Sequence, residues 1–188
     1  MDFAVIPECY VDTKLIKAIV PPTDKNGYNH QKGCNTVVNL MKGKLNDHFA
    51  LGIVDKDKRE LDYIQEFEIL NEQDSLELYK HRAKHHYLIL ICPAIERWIL
   101  ERAEESGVRL EDFGLPNNLD ELRKITKTST SEEKDPYSNA LRALFRELVN
   151  RQNMHIEILG LWVSYLKNNH YHTDIEELIK QTEDIKRL

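Results

Sequence analysis

Residues 50-ALGIVDKDKREL-61 decide how the chain reads. An apolar run from Ala50 to Val54 stops abruptly at Asp55-Lys56-Asp57-Lys58. A short apolar run with β-branched residues fits a buried strand. Charged groups are seldom buried without partners, so two acids at a strand exit form either a solvated turn or a cation site. Along an extended chain Asp55 and Asp57 fall on one side and Lys56 on the other. Two carboxylates on one side repel unless a cation lies between them.

Moving outward, 3-FAVIPECY-10 fits a second buried strand, with Glu8 at its end and Asp12 four residues on. The run 86-HYLILIC-92 is a third, stopped by Pro93, which suits a helix start. The helix 94-AIERWILERAEES-106 follows, with Glu96 in its first turn and Gly107 beyond its end. Residues 34-CNTVVNLMKGKL-45 place Val37, Val38, Met41 and Leu45 at helical spacing. The run 12-DTKLIKAIV-20 fits a short helix capped by Asp12 or a strand, and Pro21-Pro22 ends it. Residues 23–33 are a loop by composition. Further on, 59-RELDYIQEF-67 reads as helix, and 66-EFEILNE-72 and 75-SLELYKH-81 as edge strands.

Strand, helix and strand in short order predict an α/β fold with parallel pairing. After Gly107 the pattern changes to helices at 119–127, 138–152, 154–168 and 173–187, with a polar linker at 128–136. The expected organisation is an α/β domain over 1–107 and a helical C-terminal extension over 108–188 packed on it.

At 188 residues, 41% apolar and 31% charged, the chain suits one globular domain with a sizeable core. A net charge of −6 gives no general attraction for nucleic acid, so such a role needs a local basic patch. The strongest lies in 80-KHRAKHH-86, where Lys80, Arg82 and Lys84 are either phosphate contacts or a solvated hairpin tip. His30, Lys32 and Gly33 precede a helix N-terminus but match no phosphate loop, which favours a plain cap. Cys9, Cys34 and Cys92 have no C-x-x-C spacing and read as reduced thiols. No signal-peptide pattern or membrane-length apolar run is visible, so a cytoplasmic protein without a membrane partner is expected. Trp98, Phe145 and Trp162 lie on apolar helix faces as core residues, and His155, His170 and His172 form no metal pair on one helix face.

Acids thus gather where strands end: Glu8 and Asp12, Asp55 and Asp57, then Glu96. In open α/β sheets ligands sit outside the carboxyl ends of parallel strands. Clustered carboxylates there are hard oxygen donors suited to Mg²⁺ or Mn²⁺. Each acid also has a plain alternative: Asp12 as a helix cap, Glu96 as a favourable charge at a helix N-terminus, and Asp55 and Asp57 as a solvated strand end.

The pattern in 3-FAVIPECYVD-12, followed by Asp-x-Asp in 51-LGIVDKD-57, resembles the Toprim domain of topoisomerases, primases, recombination proteins and the overcoming-lysogenization-defect nucleases. The helix at 93-PAIERWIL-100 is similar to one in Toprim-like proteins related to those nucleases. The resemblance covers about residues 1–105, and the family's second strand has no clear counterpart in 12–33. It implies a parallel α/β sheet and a Mg²⁺- or Mn²⁺-dependent nuclease or phosphoryl-transfer activity on nucleic acid, in bacterial DNA processing or phage defence. It further implies metal binding by Asp55 and Asp57 with Glu96 assisting, and Glu8 as general acid/base or second-metal ligand. A PIN-like ribonuclease is an alternative, because 11-VDTKL-15 resembles that family's opening Asp-Thr. A third alternative is a non-catalytic interaction module. The stripe of Leu141, Leu144, Phe145, Leu148, Ile158, Leu161 and Trp162 would then fold inward or join a homodimer.

Overall fold

The computed structural model describes residues 2–56, 62–130 and 134–187. Strand β1 (Val5–Pro7) leads to helices α1 (Tyr10–Ile19) and α2 (Cys34–Lys42), then strand β2 (Ala50–Asp55). Strands β3 (Phe67–Gln73), β4 (Leu76–His81) and β5 (His86–Ile91) follow. The remaining helices are α3 (Ile95–Glu105), α4 (Leu119–Thr128), α5 (Ser138–Asn150), α6 (Met154–Asn169) and α7 (Ile175–Ile185).

The fold is α/β, built on a five-stranded sheet of order β1-β2-β5-β4-β3. The β1–β2 and β2–β5 pairs are parallel, whereas β5–β4 and β4–β3 are antiparallel. The expected parallel sheet is therefore a mixed one. Only Asp74 and Ser75 separate β3 from β4, too few residues for a crossover, so these strands close as a hairpin.

Alternation along the strands divides the core. Leu51, Ile53, Tyr87, Ile89 and Ile91 face a cluster shared with α1, α3, α5 and α6. Ile6, Ala50, Val54, Leu88 and Leu90 face Val37, Val38 and Met41 of α2, together with Tyr63. At Gly52 a Cβ would lie 2.6 Å from Leu88 Cδ2 and 3.0 Å from Val37 Cγ1, so a glycine there lets α2 approach the sheet.

Residues 108–188 share the first of these clusters with residues 1–107. Leu141, Leu144, Phe145, Leu148, Ile158 and Trp162 are fully buried, so the apolar stripes of the tail are used inside this chain. Leu161 is only partly buried against the same cluster. Two buried ion pairs tie the halves together, Lys14–Asp135 at 2.6 Å and Lys167–Asp2 at 2.7 Å.

Several elements differ in extent from their sequence patterns. The first strand is shorter than 3–10, because Asp2–Ala4 is a 3-10 turn and Cys9 caps α1. The ambiguous run 12–20 is helical, and a capping box accounts for that. The Asp12 carboxylate accepts from Cys9 N–H at 3.0 Å, and Asp12 N–H meets Cys9 Sγ at 3.5 Å. Within 59–67, residues 62–66 form a 3-10 turn and residues 59–61 lie outside the described residues.

The segment 29–33 runs along the outer edge of β1. Asn29, Gln31 and Gly33 donate backbone N–H groups to the carbonyls of Val5, Pro7 and Glu8 at 3.0, 3.0 and 3.1 Å. Pro7 has no N–H to return, so this ladder is one-sided at its middle.

Candidate functional site

The site grows from the carboxyl ends of β1 and β2 and the turn after β5. Glu8 leaves β1 with both backbone groups held: its N–H donates to Ile53 O at 2.9 Å, and its carbonyl accepts from Gly33 N–H. Its Oε2 accepts from Asp55 N–H at 3.0 Å, which turns the carboxylate over the end of β2. Asp55 in turn accepts at Oδ1 from Ile95 N–H, 2.9 Å away, and so caps α3 where Ala94 offers no side-chain acceptor. Pro93, expected at the helix start, stands two residues before the first helical residue.

Asp12 is 1% exposed. One oxygen is committed to the α1 cap, while Oδ1 is buried without a hydrogen-bond partner. Glu96 reaches α4, where its Oε1 accepts from Thr126 Oγ1 at 2.6 Å.

These four acids feel one another. Burial, reinforced by Asp12, Glu8 and Glu96, pushes the Asp55 carboxyl up to about 9. Burial also raises Asp12, to about 7, with Glu8 and Glu96 adding to the rise against hydrogen bonds from Cys9. Carboxyls this reluctant to ionise hold protons near neutral pH until a cation takes their place.

The structure therefore brings together Glu8, Asp12, Asp55 and Glu96. Asp57 lies outside the described residues. Among the described residues no three His, Cys, Asp or Glu side chains are already arranged as a ligand set. The donor chemistry nevertheless fits a hard divalent cation: four carboxylates, one with an unused buried oxygen. A cavity of about 580 Å³ opens over Glu8, Asp55 and Glu96.

The patch of Lys80, Arg82 and Lys84 sits elsewhere. Lys80 lies near the end of β4 and Arg82 and Lys84 in the turn that follows, all at the amino end of β5, whereas the acids surround its carboxyl end. Six residues of strand separate them, about 20 Å. The side chains are also engaged locally: Lys80 Nζ with His81 O, Arg82 Nη1 with Gln65 O at 2.7 Å, and Lys84 Nζ with Asn46 Oδ1 at 2.5 Å. This patch cannot grip a phosphate held at the acids. Its sequence position, just before the strand that leads to Glu96, misleads because a strand carries its two ends apart.

The cations beside the acids come from places that the sequence pattern did not single out. Lys56, Arg123 and Lys127 line the acid cavity, as does Thr126. Lys56 pairs with the buried Glu77, whose other oxygen accepts from Tyr79 Oη at 3.0 Å. Arg123 and Lys127 are exposed, and neither side chain makes a hydrogen bond or ion pair among the described residues. Arg123, Thr126 and Lys127 share one helix face by their spacing, which was visible in the sequence. That this face meets Glu96 follows only from the packing of α4 on α3.

Among the described residues no helix is long and apolar enough to cross a membrane. No protein-family model, curated protein or solved structure matches the chain.

Proposed function

We propose that this protein is a Mg²⁺- or Mn²⁺-dependent nuclease or phosphoryl-transfer enzyme acting on nucleic acid, with a Toprim-like site. The observation that carries the proposal is the meeting of Glu8, Asp12, Asp55 and Glu96 over the carboxyl ends of parallel strands, with the carboxyls of Asp12 and Asp55 raised.

Asp12, Asp55 and Glu96 would hold the cation, joined by Asp57. The bound ion would supply an activated water and neutralise charge on the phosphate. Glu8 would accept or return a proton, or bind a second ion. Arg123 and Lys127 bring positive charge to the same cavity, where phosphate oxygens would be held by charge-assisted hydrogen bonds.

The test is cleavage of single- and double-stranded DNA and RNA with Mg²⁺ or Mn²⁺, by the parent and by Asp55→Asn. Asn keeps the acceptor that caps α3 and removes the charge. Activity should fall at least about 100-fold while the fold is kept. Equal cleavage by the variant, or none by the parent on any of these substrates, removes the proposal.

A further inference from the structure

Glu96 enters the acid cavity from the first turn of α3, on a long side chain that can take many rotamers. A carboxylate on such an arm binds a cation well only when a neighbour fixes its orientation. Thr126 is the neighbour that reaches it. Its Oγ1 donates to Glu96 Oε1 at 2.6 Å, within the range of about 2.5–2.7 Å for a hydroxyl bonded to an ionised carboxylate. The same hydroxyl lies 3.2 Å from Arg123 O, a carbonyl one turn back on its own helix. A hydroxyl carries one proton, and the shorter, charge-assisted bond takes it. The second oxygen of Glu96 makes no hydrogen bond or ion pair among the described residues, so it is open to a cation.

The helix that carries Thr126 is itself fixed to the elements that bear acids. Thr126 is 9% exposed, and α4 packs on α3, which carries Glu96. Just past the end of α4, Ser129 Oγ and Thr130 O accept from Lys14 Nζ at 2.7 and 3.2 Å. Lys14 belongs to α1, which carries Asp12. A Val at 126 would fill the same space on this helix but would offer Glu96 no proton.

We propose that Thr126 is a positioning residue, which holds Glu96 by one oxygen so that the other faces the cation. The helical half of the chain thereby completes the metal centre. The inference rests on the proposed function for the presence of that cation.

The test is calorimetric titration of Mn²⁺ into the metal-free chain at pH 7.5. It compares the parent with Thr126→Val, Thr126→Ser, Glu96→Gln and the Thr126→Val/Glu96→Gln double variant. Losing a bond that orients a ligand weakens metal binding by about 10–100-fold, so Thr126→Val should bind at least about 10-fold more weakly. Thr126→Ser keeps the hydroxyl and should bind within about threefold of the parent. Glu96→Gln removes the charge through which Thr126 acts. Adding Thr126→Val to it should cost no more than about threefold further. Melting in EDTA reads any structural share, and loss of this one bond should lower the Tm of Thr126→Val by no more than about 4 °C. Binding by Thr126→Val equal to the parent's overturns the inference and leaves the proposed function standing. So does Thr126→Ser binding as weakly as Thr126→Val, or a fully additive loss in the double variant. A larger fall in Tm does the same, because Thr126 is then a packing residue. No Mn²⁺ binding by the parent removes the proposed function and this inference together.

Discussion

Replacing Asp12 by Asn isolates the cost of crowding acids at the strand ends. Asn retains an acceptor for Cys9 N–H, so the cap of α1 survives. In the folded chain the Asp12 carboxyl is raised to about 7, whereas an unfolded one titrates near 3.9. Between those values the folded state keeps a proton that the unfolded state has released. Stability of the metal-free protein must then fall as pH rises, by at most about 1.4 kcal/mol per pH unit for one such group. Over about three units the ceiling is about 4 kcal/mol. The acids share their protons, so about 2–4 kcal/mol is a reasonable share for Asp12. The neutral amide matches the protonated acid at low pH. The two proteins should therefore be about equally stable at pH 4, and Asp12→Asn more stable at pH 8, with a Tm higher by about 4–16 °C. Urea unfolding in EDTA across pH 4–8.5 measures this as a widening gap between the two curves. Parallel curves, or a variant less stable at pH 8, would show that Asp12 is an ordinary cap and that the crowding is not felt.

Two further outcomes concern the scaffold. Asp135→Ala leaves Lys14 buried with only Ser129 and Thr130 as partners, and should cost about 3–5 kcal/mol in chemical denaturation. Gly52→Ala drives a methyl group into Leu88, Val37 and Met41 and should cost about 1–3 kcal/mol, read as a lower urea midpoint with an unchanged slope.

Much of the fold was visible in local pattern. The apolar strands β1, β2 and β5, the helices α2 to α7 and the α/β class all follow from periodicity and from Pro and Gly near the boundaries, although α2 stops at Lys42, short of the Leu45 that its spacing included. Where tertiary contacts decide, pattern was insufficient. The run 12–20 carries Ile and Val that suit either helix or strand, and the Cys9–Asp12 capping box settled it. The hairpin of β3 and β4 reversed the sheet direction because two turn residues allow nothing else. At the site, Glu8, Asp12, Asp55 and Glu96 were legible because strand ends in such sheets converge by construction. The cations were not legible. A basic run next to β5 in sequence lies a strand's length from the acids, whereas Arg123 and Lys127 arrive on a helix from the other half of the chain.

The most direct test of the central claim is calorimetric titration of Mn²⁺ into the metal-free protein at pH 7.5, in two buffers of different ionisation enthalpy. Asp55, pushed up to about 9 by burial and its acidic neighbours, gives up its proton when a cation takes its place. The account predicts binding with release of about one to two protons per ion, strengthening as pH rises and abolished in Asp55→Asn. Failure to bind at millimolar Mn²⁺, or equal binding and proton release by the variant, would contradict it.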